Sequence, residues 1–215
     1  MSADSERRAA GEAAAALVQD GMALGYGTGR GAAAALEALA RRGVRVRGVP
    51  TSERTAALCR ELGLPLTTLE ETPTLDLCID GADEIDPRKQ ALKGGGGAMV
   101  REKLVALAAR RRVIVIEEAK LVTRLGATRG LPIAVVAFGW SGTLRRIEQI
   151  LSGATRREEL SDDGHVVIDA PIPPQADPRA VGDTIKRIPG VVDHGFFLDL
   201  GLEVIVGTAA GVRFL

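Results

Sequence analysis

Aromatic side chains are scarce in this chain of 215 residues, with one Trp, one Tyr and four Phe. The 46% of hydrophobic residues are therefore mostly Ala, Val, Leu and Ile, which suits helices packed on an aliphatic sheet better than a sandwich of two sheets. Cysteine is nearly absent: Cys59 and Cys78 are too few for a disulfide framework and lack the paired spacing of a zinc site. A reducing cytoplasm fits that usage. Charge of one sign is not in excess either, because 28 Lys and Arg balance 28 Asp and Glu. No global field draws the chain to nucleic acid or to an anionic membrane, and an anionic ligand must be held locally. No apolar run reaches the roughly 18 residues of a membrane span, and the start, Met1 to Arg8, is polar, so a soluble, unprocessed protein is expected. The two histidines, His165 and His194, stand apart from every motif and read as structural.

The remaining pattern is an alternation. Ser5 to Val18 is rich in helix formers and stops at Gly21; Met22 to Gly25 reads as a short strand. A glycine turn, Gly25 to Gly31, leads into helical composition over Ala32 to Ala40, which makes half of a βαβ unit. Val44 to Val49, Leu75 to Ile79 and Arg112 to Ile116 read as strands, with helices at Ser52 to Leu62, Gly97 to Arg110 and Glu118 to Leu125. This predicts a mostly parallel, Rossmann-like α/β sheet. Beyond Gly126 the order changes to β-α-β-β-α-β, with a hairpin turn at Asp162-Asp163-Gly164, which is a ferredoxin-like α+β pattern. The expected division is residues 1–127 plus 199–215 for the Rossmann-like domain and 128–198 for the smaller one.

Chemistry concentrates in two motifs. Asp80-Gly81-Ala82-Asp83-Glu84-Ile85-Asp86 sets four acids just past the end of a buried strand, where open α/β sheets present their ligands. An acidic surface turn fits this segment as well as a functional one does, and an oxygen-only Mg²⁺ site is a third reading. Lys93-Gly94-Gly95-Gly96-Gly97-Ala98 follows. Four consecutive glycines carry an entropic penalty that close approach of backbone to a ligand explains better than a flexible loop does. The run also opens a helix, whose N–H groups can face an anion or a developing oxyanion. Glu102, between Arg101 and Lys103 in that helix, is by itself an ordinary salt-bridge partner on a solvated face. Lys120 follows a strand end and reads equally as ligand-binding or as surface. The first loop fits a dinucleotide fingerprint only superficially, since Val44 to Val49 ends in Pro50-Thr51 with no acid for a ribose; a phosphate on the loop fits as well.

Gly27-Thr28-Gly29, Asp80-Gly81-Ala82-Asp83-Glu84, Lys93-Gly94-Gly95-Gly96-Gly97-Ala98 and Arg101-Glu102-Lys103, in this order and spacing, resemble the ribose-5-phosphate isomerase type A family. The likeness continues to the tail through Pro189-Gly190-Val191-Val192 and Gly207 to Val212. It implies interconversion of ribose 5-phosphate and ribulose 5-phosphate through an enediolate, in the pentose phosphate pathway, with no cofactor and no metal. Glu102 would be the proton shuttle between C2 and C1, and Asp80 would assist at the sugar oxygens. Asp83 would hold hydroxyls, while Lys93 and the amides of Gly94, Gly95, Gly96 and Gly97 would stabilise the enediolate oxygen. Lys120, Gly81 and Ala82 would contact substrate, and Thr28, Gly29, Arg30 and Gly31 would line the phosphate end. A homodimer or homotetramer in the cytoplasm is implied, with no nucleic-acid or membrane partner.

Departures from the family pattern bear on substrate choice. The usual Gly-Thr-Gly-Ser-Thr-Ala reads Gly27-Thr28-Gly29-Arg30-Gly31-Ala32, so two hydroxyls are missing and Arg30 stands where it could grip a phosphate or narrow the site. Glu117 replaces the usual Asp before the lysine segment, and Pro132-Ile133-Ala134-Val135 replaces Pro-Val-Glu-Val. The competing readings are a non-catalytic sugar-phosphate sensor and a related sugar-phosphate enzyme such as a deaminase or a coenzyme A transferase.

Overall fold

Ser2 starts the first helix. Its Oγ accepts the Ser5 N–H at 3.3 Å, so α1 (Ala3–Ala16) begins ahead of the expected Ser5. The computed structural model describes residues 2–215, and Met1 of the polar start lies outside them. After α1 come β1 (Ala23–Tyr26), α2 (Arg30–Arg42), β2 (Arg47–Pro50), α3 (Glu53–Glu61), β3 (Leu75–Asp80), β4 (Glu84–Ile85) and β5 (Ala91–Leu92). Then follow α4 (Met99–Ala108), β6 (Ala109–Glu117), β7 (Leu131–Val135), α5 (Trp140–Glu148), β8 (Thr155–Leu160) and β9 (Val166–Ala170). α6 (Pro178–Lys186), β10 (Val191–His194), β11 (Phe196–Phe197), β12 (Leu202–Thr208) and β13 (Gly211–Phe214) complete the chain. By packing it forms two units. One runs to Ala82, resumes at Arg101–Leu121 and ends with Asp199–Leu215; the other takes Asp83–Val100 and Val122–Leu198.

The first unit holds a six-stranded sheet in the order β13-β12-β6-β3-β1-β2, parallel throughout except for β13 against β12. This is the Rossmann-like sheet that the alternation predicts. Its central strands carry buried apolar stretches, such as Leu77 to Ile79 of β3 and Val113 to Ile116 of β6, because both faces are covered there. α1 and α2 bring Ala14 and Leu36 onto Leu24, Leu77, Val113 and Ile205, and α4 brings Val105 onto Ala23, Leu75 and Cys78. Each fully buried Leu or Ile in such a core contributes roughly 1.5–3 kcal/mol. Strand order reverses between β1 and β3. In a doubly wound sheet the crevice for a ligand opens at the carboxyl ends of the strands on either side of that reversal, here Tyr26 and Asp80.

The second unit holds a four-stranded antiparallel sheet, β10-β7-β9-β8, with α5 and α6 as its two connecting helices. That strand order is ferredoxin-like. Its core gathers Leu131, Ile133, Ile147, Ile168, Ile185 and Phe196. A small sheet, β11-β5-β4, lies in the same unit. Its two-residue strands are too short for a periodic signal, and they were not expected.

Two elements depart from expectation. The helix expected over Glu118 to Leu125 is a single 3-10 turn, Glu118–Lys120. An α-helix would need the Val122 N–H on the Glu118 carbonyl, but it donates to Ile85 O at 2.9 Å instead. β2 starts at Arg47 rather than Val44, since the chain leaves α2 through Gly43 in the left-handed region (φ +65°) and the Arg45 carbonyl accepts the Gly21 N–H. No helix among the described residues is long and apolar enough to cross a membrane.

Candidate active site

At the switch point of the first unit, the loop after β1 is fastened to the end of β3. Asp80, 2% exposed, accepts the Thr28 N–H at 3.0 Å and the Gly81 N–H at 2.7 Å on Oδ1. Thr28 Oγ1 lies within 2.7–3.0 Å of the hydroxyls of Thr51, Ser52 and Thr55, an inward cluster that locks the loop onto the start of α3. The glycines follow from crowding. A Cβ at Gly27 would stand 2.3 Å from Asp80 Oδ1, and one at Gly31 would stand 2.1 Å from the Val115 carbonyl oxygen on β6. Gly29 takes φ +106°. Gly31, where the family pattern has a hydroxyl, is thus required by the approach of α2 to β6. Arg30 is largely exposed and reaches Glu117 at 3.7 Å, and a cavity of about 390 Å³ opens beside Gly27, Gly29, Arg30 and Thr55.

Glu117 carries a second cation that the sequence reading missed. Arg7 of α1 is 6% exposed and donates to Glu117 Oε1 at 3.2 Å, with a further ion pair to Asp4. In sequence it is one of several charges on an alanine-rich helix, and nothing local marks it as buried. Lys120 is half-buried in the 3-10 turn beyond β6. Glu102 lies in the first turn of α4 and is 4% exposed, so it is not a solvated partner for its neighbours. Arg101 pairs with Glu53 at 2.9 Å.

The four acids of the Asp80 motif have four different fates. Asp86 Oδ1 caps a turn, accepting from Arg88 N at 2.9 Å and Gln90 N at 2.8 Å, which is the bland reading. Glu84, fully buried, accepts from Gly126 N at 2.5 Å, Thr128 N and Thr128 Oγ1 at 2.6 Å and Arg129 N at 3.0 Å, and thereby pins the loop before β7. Asp83 accepts the Gly95 N–H at 2.7 Å and lies 3.9 Å from Arg129. Asp80 is buried at the end of β3, and Asp83 is half-buried at the start of the second unit's first segment. Ala82 between them is half-buried, and Gly81 has room for a side chain.

In the second unit Lys93 is 2% exposed, its backbone N–H donates to Gly195 O at 2.8 Å and its ammonium lies 5.5 Å over the Phe197 ring. The tetraglycine run behind it turns on Gly94 (φ +104°) and Gly97 (φ +79°), while Gly95 and Gly96 are exposed. Its carbonyls at Gly94 and Gly95 accept from Arg157, a residue the sequence did not single out. Among the described residues no group of three or more His, Cys, Asp or Glu side chains could hold a metal ion.

The chain is similar to known proteins over its full length. The model of the family "Ribose 5-phosphate isomerase A (phosphoriboisomerase A)" matches residues 47–211. A ribose-5-phosphate isomerase A of Caulobacter sp. (strain K31) is 47% identical over 99% of this chain and 98% of its own length. That of Thermomicrobium roseum is 45% identical over 100% and 95%. Among solved structures, ribose 5-phosphate isomerase A from Methanocaldococcus jannaschii superposes with a TM-score of 0.94 at 32% identity, covering 100% of this chain and 99% of that one. A D-ribose-5-phosphate isomerase in complex with phospho-erythronic acid gives 0.94 at 31%, covering 100% and 99%. The family match over residues 47–211 and the full-length identity agree, and the chain belongs to the ribose-5-phosphate isomerase A family.

Proposed function

We propose that the protein interconverts ribose 5-phosphate and ribulose 5-phosphate in the pentose phosphate pathway, by proton transfer through an enediolate. Glu102 takes the proton from C2 and returns it to C1, while the hydroxyl proton moves from O2 to O1 with help from Asp80. Asp83 holds sugar hydroxyls. Lys93 and the amides of the tetraglycine run stabilise the oxygen that becomes negative. Gly81, Ala82 and Lys120 contact substrate, and Thr28, Gly29 and Gly31 shape the loop beside which Arg30 meets the phosphate. The observation that carries this reading is the burial of Glu102 at 4% exposure in the first turn of α4, since a carboxylate is withdrawn from water only where partners or function offset the loss.

The relative solved with phospho-erythronic acid supports the same chemistry, because that acid's carboxylate has the shape of an enediolate. We propose that this chain binds that acid as well. A homodimer or homotetramer in the cytoplasm completes the proposal. The test is a direct assay: purified protein, exhaustively treated with a chelator, should form ketose from ribose 5-phosphate with no additive. A dependence on added metal would overturn the cofactor-free mechanism, and absence of turnover in either condition would overturn the function.

A further inference from the structure

Arg157 lies on β8, next in the chain to the last regular pair, Arg156 with Ile168, before the register to β9 breaks between Arg156 and Leu160. Such irregularities bend a strand and re-aim a side chain, and they gather near active sites. Two carbonyls of the tetraglycine run receive this one side chain: Arg157 Nη1 donates to Gly94 O at 3.0 Å and to Gly95 O at 3.1 Å. The other edge of the guanidinium is clamped by Asp169 on β9, at 2.6 Å from Nε and 2.7 Å from Nη2. The fork is therefore fixed at both ends, which an ammonium could not reproduce.

The consequence lies in the peptide planes. Each peptide here is trans, so a carbonyl drawn to one side turns the N–H of the following residue to the other. With Gly94 O on Arg157, the Gly95 N–H faces away from the guanidinium, and it donates to Asp83 Oδ2 at 2.7 Å. With Gly95 O also on Arg157, the Gly96 N–H is turned the same way, and a Cβ at Gly96 would meet nothing within 4 Å. The Gly95 N–H is thus taken by Asp83, and the Gly96 N–H beside it is turned to the same side, where an anion could accept from it. Glycine has no intrinsic preference that would select this orientation. The Gly97 N–H on Gly94 O at 3.0 Å and Asp83 on the Gly95 N–H hold part of the turn, and Arg157 adds its hold on the Gly95 carbonyl.

We propose that Arg157, backed by Asp169, is a positioning residue for isomerisation that, by holding the Gly95 carbonyl, sets the Gly96 amide toward the developing enediolate oxygen. The inference rests on the isomerase reading. On this proposal Arg157 acts through the glycine carbonyls and not on substrate, so its effect must appear in the transition state more than in substrate binding.

The test uses the full-length Arg157→Gln and Arg157→Lys variants beside the unaltered protein. Arg157→Gln should lower kcat about 10- to 100-fold with KM changed less than about 3-fold. Its inhibition constant for phospho-erythronic acid should rise in step with the loss in kcat/KM. Arg157→Lys should recover part of the rate, and the Gly95 and Gly96 amide resonances should move in both variants. Thermal melting gives the folded fraction against which rates are normalised. Unchanged kcat in folded Arg157→Gln, equal losses in kcat and 1/KM, or unmoved glycine amide resonances would each overturn the proposal. If the unaltered protein is inactive while the resonances move as expected, the isomerase reading has failed and the loop geometry stands, but the catalytic role of Arg157 falls with that reading.

Discussion

In the proposed mechanism Glu102 is the base, and replacing it isolates the charge from the packing. Glu102→Gln keeps shape and hydrogen-bonding capacity while removing the base, so turnover should fall roughly 10²–10⁴-fold with KM and melting temperature nearly unchanged. Activity equal to the unaltered protein would remove Glu102 from the mechanism. Arg30 and Gly31, adjacent departures from the family pattern, behave differently. Arg30 is exposed and only loosely tethered to Glu117, so Arg30→Ser should leave stability unchanged and reduce the preference for ribose 5-phosphate over ribose by roughly 10-fold or more, read as the ratio of kcat/KM values. An unchanged ratio would exclude a phosphate grip. Gly31→Thr restores a family hydroxyl but sets its Cβ 2.1 Å from a backbone oxygen that has nowhere to move, which should destabilise the fold by about 1–3 kcal/mol in denaturant melts.

At the scale of elements, the loops are held by buried acids as much as by apolar packing. Glu84 satisfies four donors of residues 126–129, so a Gln in its place turns an NH₂ toward N–H groups that need an acceptor. Glu84→Gln should therefore lower the unfolding free energy by about 2–3 kcal/mol, seen as a shifted urea midpoint with the slope preserved. A loss below about 0.5 kcal/mol would deny the carboxylate this role. The element order was legible because β3 and β6 hold short apolar stretches, Leu77 to Ile79 and Val113 to Ile116, and the α/β alternation is regular. The 3-10 turn at Glu118–Lys120 was not, since composition favours a helix there and only the hydrogen bond from Val122 to Ile85 stops it. Arg157 was equally hidden: Thr155 to Leu160 reads as a polar edge strand, and nothing near it in sequence names the glycine carbonyls as its partners.

For the whole molecule, Cys59 reports on the integrity of the first unit's core. It is fully buried in α3, and burial pushes its thiol from an ordinary 9.0 up to about 11. The folded state then holds a proton that the unfolded state releases between those two values. Stability on this account is intact below about pH 9 and declines as pH rises toward 11. Alkylation of Cys59 should be negligible at pH 8 in the folded protein and should accelerate only with unfolding. Rapid labelling at pH 8 with the far-ultraviolet signature unchanged would contradict the buried site. What the sequence determined by itself is whatever depends on neighbours along the chain: the α/β alternation, the β-α-β-β-α-β order, the tetraglycine run and the family motifs that carry it. The tertiary structure decided which of four clustered acids fasten loops, that Arg7 is buried, and how tightly position 31 is crowded by β6. Those answers turn on desolvation and on contacts such as Glu84 with Thr128 or Arg7 with Glu117, which join residues far apart in the chain and leave no local pattern.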